Sequence, residues 1–126
     1  MAEHTAHWKS RPERADLAAA LNYLSLQFPA ATAQRIVQRA RSASCIERVA
    51  KDLLRASNLP LLPPDERHVA GDLKRIHKGK PLSPIVLVQG DLTRARPLVI
   101  ADGYHRVCAA CHADEDAPVA AVLVRP

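Results

Sequence analysis

The hydrophobic pattern of the chain changes at Leu59, and this change constrains the fold more than any other feature. Before it, apolar residues recur at helical spacing, as they do at i, i+4, i+7 and i+11 within 17–28. After it, short apolar runs rich in β-branched residues occur at 84–88, 98–100 and 119–124. A helical part followed by a mixed part predicts an α+β protein.

Three helices are expected before the change. Pro29 ends the first, the second covers 31–41, and the third follows a capping box formed by Ser44 and Glu47. The apolar residues of the third helix would share one face: Ile46, Val49, Leu53 and Leu54. Asn58 is its predicted end.

The second part alternates helices and strands. Prolines make residues 59–62 extended, and Asp65 is expected to cap a helix that stops at Gly79. The strand at 98–100 runs into a helix that Asp114 ends. Regions of 58 and 68 residues are each small for an independent core. We therefore expect a helical region, 1–58, packed against a sheet domain, 59–126.

The segment that points most directly to chemistry is Asp102-Gly103-Tyr104-His105-Arg106, here named the DGYHR turn. A strand that turns tightly into a helix presents free backbone N–H groups, which attract anions. Gly103 lets the backbone approach a ligand closely. Arg106 can make a forked contact to phosphate, and Asp102 can orient a metal-bound phosphate or accept a proton. The same residues also suit a turn glycine, a solvated arginine and a capping aspartate.

From about 59 to 124, the order of these segments resembles the ParB/sulfiredoxin superfamily. An opening apolar strand precedes Pro64-Asp65-Glu66, a helix ends in Gly79-Lys80-Pro81, and a strand, the DGYHR turn and a closing strand follow. The resemblance implies a small mixed sheet of that type, with the N-terminal helices packed against it.

The turn itself distinguishes members of that superfamily. Sulfiredoxins look like G-C-H-R here, and Tyr104 stands where their attacking cysteine would be, so sulfinic-acid reduction is not expected. ParB proteins, which bind CTP, usually carry a G-E-R-R-type turn. The DGYHR turn is most similar to the D-G-H-H-R of free-serine kinases, whose further substrate-binding segments have no counterpart in this chain.

The resemblance implies a nucleotide site, with or without NTP hydrolysis or phosphoryl transfer. The implied catalytic residues are Glu66, with Asp65 as the second candidate for the base, Asp102 and His105. The implied phosphate-binding residues are Gly103, Tyr104, His105, Arg106 and Lys80. The implied ligands are ATP, ADP or CTP, with Mg²⁺ bridging the phosphates to Asp102.

The distribution of charge favours a second interpretation. The net charge is +5, and most of the excess lies in residues 1–58, away from the DGYHR turn. The basic residues of the helical region are Arg35, Arg39, Arg48, Lys51 and Arg55. Such residues suit a non-catalytic DNA- or RNA-associated or regulatory protein, and they equally suit the solvated face of an amphipathic helical bundle. A structural or oligomerisation role of the N-terminal helices is a third possibility. Aromatic residues are only 3%, which argues against base stacking.

The cysteines do not indicate a cofactor. Cys108, Cys111 and His112 match the C-x-x-C-H pattern of haem attachment, but both cysteines fall on an apolar helical stripe, where they act as small hydrophobic residues. Neither haem nor zinc is expected as a cofactor. The N-terminus has no secretory pattern, and the uncharged run at 17–34 is too polar to cross a bilayer. A cytoplasmic protein without a membrane partner is expected.

Overall fold

The computed structural model describes residues 5–126, and within them the chain forms five α-helices and one four-stranded sheet. The helices are α1 (Arg14–Gln27), α2 (Ala30–Ser42), α3 (Ala50–Ser57), α4 (Arg67–His77) and α5 (Tyr104–Ala113). The strands are β1 (Ile46–Val49), β2 (Ile85–Val88), β3 (Val99–Asp102) and β4 (Pro118–Val124). A short 3-10 turn covers Leu92–Arg94. The predicted α+β class is confirmed.

The sheet is mixed, with strand order β1-β4-β2-β3. The last strand in sequence, β4, is central: it runs parallel to β2 and antiparallel to β1, so that Ala121 is paired with both Ile85 and Ile46. β3 is antiparallel to β2 on the other edge. All four residues of β2 are buried, which explains why its sequence is a continuous apolar run instead of an alternating one.

Helices cover both faces of the sheet. Val86 and Val88 belong to a cluster with the buried residues of α1 and α2, whereas Ile85 and Leu87 belong to a second cluster with α3, α4 and α5. Successive residues of β2 therefore enter different cores, as the two-residue period of a strand requires. Near the N-terminus, Trp8 forms a bridge with Leu82, which anchors the segment before α1.

Residues 46–49 form strand β1, so the prediction of a helix from that point was wrong. β4 has a second edge that faces away from β2, and the backbone groups on this edge are satisfied by pairing with β1. This pairing outweighs the helical spacing of the apolar residues around 46–49. The helix begins later, as α3, with Val49 as its N-cap in place of the predicted Ser44 and Glu47 capping box. Asn58 ends α3 in the left-handed conformation, as expected.

Residues 59–62 do not form the predicted opening strand. Prolines in this stretch lack the N–H that a ladder needs, and its carbonyl groups meet side chains instead. The Tyr104 hydroxyl donates to the Pro60 carbonyl at 2.5 Å, and His112 Nε2 lies 2.7 Å from the Leu62 carbonyl oxygen. The next helix, α4, is capped by Glu66 and not by Asp65.

The remaining elements lie where the sequence predicted them. β2, β3, β4, α1, α2 and α5 match the expected segments to within about two residues. β1 and α3 precede the predicted boundary at residue 58, yet they belong to the sheet and to the core under α5. Among the described residues, no helix has both the length and the apolar character needed to span a membrane.

Candidate functional site

The candidate site lies between α4 and the DGYHR turn. Gly103 is the N-cap of α5, with a φ of 108° in the left-handed region that favours glycine. A Cβ at this position would lie 2.3 Å from Ile85 Cγ2. The turn therefore packs directly on the sheet, and this contact fixes the start of α5 beside α4.

The first turn of α5 presents unpaired backbone donors. Its first intrahelical bond runs from Val107 N to the Gly103 carbonyl, so the N–H groups of residues 104–106 precede the helical ladder. None of the described side chains caps this end. Together with the helix dipole, these donors favour an anion.

A groove of about 630 Å³ runs along α4 and over this turn. The basic residues that line it are Arg67, Lys74, Arg75, Lys78, Lys80 and Arg106. The acidic ones are Asp16, Asp72 and Asp102, and His68, His105 and two glycines complete the lining. Six cationic side chains face three carboxylates, and this excess favours a negatively charged ligand.

Arg106 is held by two carboxylates. Its Nη1 lies 3.0 Å from Asp16 Oδ1, and its Nη2 lies 2.6 Å from Asp102 Oδ2. The three side chains are only 13% to 17% exposed. Because Asp16 belongs to α1 and Asp102 to β3, the guanidinium group connects the N-terminal helices to the DGYHR turn.

The pKa values of these two carboxylates are shifted in opposite directions. Burial raises the pKa of Asp102 to about 6, although the adjacent Arg106 guanidinium lowers it. Burial acts to raise the pKa of Asp16 as well, but the Glu13 backbone N–H and the Arg106 charge outweigh it and hold that pKa below its usual value. Burial also raises the pKa of Asp72. Of the two carboxylates that contact Arg106, Asp102 is therefore the more readily protonated.

A second group of side chains lies where α4 and α5 begin. Glu66 Oε1 accepts the backbone N–H groups of His68 at 2.8 Å and Val69 at 3.0 Å. Glu66 Oε2 lies 3.4 Å from His68 Nδ1, and Glu66 Oε1 lies 3.9 Å from His105 Nε2. The Val69 hydrogen bond is the main cause that lowers the pKa of Glu66. A lowered pKa makes a carboxylate a weaker general base near neutral pH, so this environment favours a cap or a ligand.

Most of the implied site residues come together. Lys80, Asp102, Gly103, His105 and Arg106 line the groove, and Glu66 adjoins it through His105. The Tyr104 side chain does not line it, because the ring packs against the core and the hydroxyl is bonded to the Pro60 carbonyl.

The donor set at Asp102 is a poor fit for a resident Mg²⁺. Arg106 already donates to Asp102 Oδ2, so a Mg²⁺ ion bound there would have to compete with the guanidinium group. Mg²⁺ prefers oxygen ligands in a near-octahedral arrangement. The implied bridge from Asp102 to bound phosphates stays a prediction.

Several residues of the groove were missed from the sequence. One stripe along α4 and its C-cap has the spacing i, i+4, i+7 and i+11 and consists of Arg67, Gly71, Lys74 and Lys78. The apolar residues of this helix indicated its buried face, whereas the basic residues on its other face resemble an ordinary solvated surface. Asp16 had no signal of its own, because it lies 90 residues from Arg106 in sequence.

The basic residues of the N-terminal region do not form one surface. Arg35 and Arg39 lie on α2, Arg48 lies on β1, and Lys51 and Arg55 lie on α3, across the sheet from α2. Partners also reduce their availability, since Lys51 pairs with Asp116 at 2.5 Å and Arg55 with Asp52 at 3.4 Å.

The cysteines of the C-x-x-C-H pattern are not arranged as a site. Cys108 is fully buried in the core under α5, and burial raises the pKa of its thiol. His112 lies against the Leu62 carbonyl, as described above. This placement agrees with the expectation that the two cysteines act as small hydrophobic residues.

Comparison with known proteins returned no matching family model, no matching curated protein and no matching solved structure. The chemistry of the groove therefore has to follow from its own residues.

Proposed function

We propose that the chain binds a nucleotide through its phosphates in the groove between α4 and the DGYHR turn. The observation that carries this proposal is the charge of the groove, where six Lys and Arg side chains face three Asp around a volume of about 630 Å³. That volume falls within the range of small-molecule pockets, about 300–1,000 Å³. The unpaired N–H groups of α5 add phosphate donors at one end.

The lysines and Arg67 are the proposed phosphate ligands. Among the described residues, Arg67, Lys74, Lys78 and Lys80 form no side-chain ion pair, so their charges are available to a ligand. Arg106 is already neutralised by Asp16 and Asp102. Its role in the proposal is to hold the turn in place.

The resemblance to the ParB/sulfiredoxin superfamily supports the same location and the same ligands, ATP, ADP or CTP. Phosphoryl transfer depends mainly on positioning and charge neutralisation, and the groove offers both. Its carboxylates are less suited to the chemistry, because Glu66 has a lowered pKa and Asp102 is paired with Arg106. Nucleotide binding is therefore the function that we propose, and NTP hydrolysis is tested by a separate measurement.

Calorimetric titration with ATP, ADP and CTP, with and without Mg²⁺, tests the proposal. We expect Lys80→Ala, and the double variant Lys74→Ala with Lys78→Ala, to weaken binding about tenfold or more, equivalent to about 1.4 kcal/mol. Lys51→Ala is the matched control, because Lys51 lies outside the groove. Phosphate release from ATP and CTP is measured on the same samples.

Failure of the wild-type protein to bind any of the three nucleotides would refute the proposal, and so would equal affinities for Lys80→Ala, the double variant and the control. A DNA or RNA oligonucleotide added in parallel tests the alternative function. Binding that falls steeply with salt, and that Arg48→Glu and Lys51→Glu abolish, would favour that alternative.

A further inference from the structure

We infer that Glu66, His68 and His105 form a binding site for a divalent transition-metal ion where α4 and α5 begin. Each residue offers one ligand atom such that all three atoms lie within 4.8 Å of one another. Two imidazole nitrogens and one carboxylate oxygen suit Zn²⁺ and its neighbours in the first transition row. This site goes beyond the nucleotide proposal and does not depend on it.

The Glu66 carboxylate is held ready for a metal. Two backbone N–H groups, from His68 and Val69, fix Oε1, while Oε2 faces His68 Nδ1 at 3.4 Å. Carboxylates that ligate metals are commonly oriented by hydrogen bonds of this kind. The cap of α4 therefore also positions a ligand oxygen.

The two imidazole rings converge because their helices start side by side. His68 lies in the first turn of α4 and His105 in the first turn of α5, and their ring centroids are 4.6 Å apart. Ligand atoms around tetrahedral Zn²⁺ lie about 3.3 Å from one another. Both side chains are about half exposed, 55% and 42%, so a small rotation can close the remaining distance.

The charge around the cluster includes a second carboxylate. Asp72 lies one helical turn after His68 on α4, with a side chain only 15% exposed, and it interacts electrostatically with both imidazoles. Its charge offsets part of the repulsion from Arg67 and Arg75. Three protein ligands leave a fourth position for water or for an oxygen of a bound anion.

Zinc was not expected from the sequence, because the two cysteines at i and i+3 would need two more ligands and only His105 or His112 was near them. Cys108 is buried under α5, and His112 is bound to the Leu62 carbonyl. The inferred metal site instead joins His105 to Glu66 and His68 and needs no cysteine. The cysteines still supply a control, since they are the competing soft ligands of the chain.

The test is a titration of the full chain with Zn²⁺ in nucleotide-free buffer, followed by calorimetry and by competition with a chromophoric chelator. We expect one Zn²⁺ per chain and a loss of affinity of about tenfold or more in His68→Ala and in His105→Ala. Glu66→Gln removes the charge but keeps an oxygen that can cap α4, and it should weaken binding similarly. His77→Ala, on the same helix, and Cys111→Ser are the matched controls and should bind as the wild type does.

Three results would overturn the inference: no stoichiometric Zn²⁺ binding, unchanged affinity in the Glu66 and His variants, or loss of binding in Cys111→Ser instead. Circular dichroism of each variant confirms folding, and Glu66→Gln keeps the test decisive if a histidine variant unfolds. Because no nucleotide is present, a negative result leaves the nucleotide proposal standing. The absence of nucleotide binding would likewise leave the metal site intact.

Discussion

Replacement of Arg106 with methionine should destabilise the fold by about 3 kcal/mol at pH 7. Methionine keeps much of the apolar stem and removes the guanidinium group that contacts both Asp16 and Asp102. Two partly buried carboxylates would then lie close together without the cation that separates them, although Asp16 would keep its hydrogen bond from the Glu13 backbone N–H. The variant therefore tests whether this guanidinium group connects α1 to the DGYHR turn.

The magnitude follows from the contacts. At separations near 3 Å, Coulomb's law with an effective dielectric constant of 20 gives about 5 kcal/mol for each pair. Desolvation of the three groups offsets most of this attraction, and breaking a buried pair by removing one partner costs about 3–5 kcal/mol. The side chains remain 13% to 17% exposed, which places the expected loss at the lower end of that range.

The loss should be smaller at pH 5 than at pH 7. When a carboxyl group has a higher pKa in the folded protein than in the unfolded one, its ionised form destabilises the fold at pH values above the folded pKa. This destabilisation disappears as the pH falls from the folded pKa toward the unfolded pKa. Asp102 already has a pKa of about 6 in the wild type. Without Arg106, both carboxyl pKa values should rise, and protonation should relieve the repulsion between them.

Urea unfolding followed by circular dichroism, at pH 5 and pH 7, measures these differences. The same Arg106→Met change in a background carrying Asp16→Asn and Asp102→Asn should cost much less, because no carboxylate is left unpaired. A loss below about 1 kcal/mol at pH 7, or an equal loss in both backgrounds, would refute the reasoning, since exposed ion pairs contribute about that much.

Two further substitutions separate structural roles from ligand binding. Gly103→Ala should lower the free energy of unfolding by about 2 kcal/mol or more, because φ is 108° and the new Cβ would lie 2.3 Å from Ile85 Cγ2. Urea unfolding measures this loss. Gly71→Ala is the matched control, because a Cβ at Gly71 would meet no atom within 4 Å. Tyr104→Phe removes the hydrogen bond to the Pro60 carbonyl and should lower the free energy of unfolding by about 1 kcal/mol. Calorimetry should show an unchanged nucleotide affinity. A marked loss of affinity would mean that Tyr104 contacts the ligand.

Local pattern predicted most of the elements. The helical stripe of α1, the proline between α1 and α2, and the β-branched runs of β2 and β4 all carry signals within a few residues of themselves. The opening strand predicted at 59–62 and the helix predicted over β1 were the exceptions. β1 was missed because Ile46 and Val49 are compatible with a helix as well as a strand. Only the free edge of β4, about 70 residues away, decides between them.

The site residues also fall into those that local sequence signals and those that only tertiary packing brings together. The DGYHR turn was found because its residues are consecutive, and Lys80 and Glu66 followed from the resemblance. His68 and Asp16 join the site only through the packing of α4 and α1 against α5, which no local pattern reports. The forked contact of Arg106 to phosphate stays a prediction, and a phosphate would have to compete there with Asp16 and Asp102.

The central position of β4 has a consequence for synthesis. β1, β2 and β3 leave the ribosome before the strand that joins β1 to the other two. Until residues 118–124 emerge, β1 has no partner and β2 exposes one unpaired edge. Such edges are prone to aggregation, and long-range pairing slows folding. The nascent chain therefore passes through an aggregation-prone interval, in which a chaperone that covers apolar strands would raise the yield of native protein.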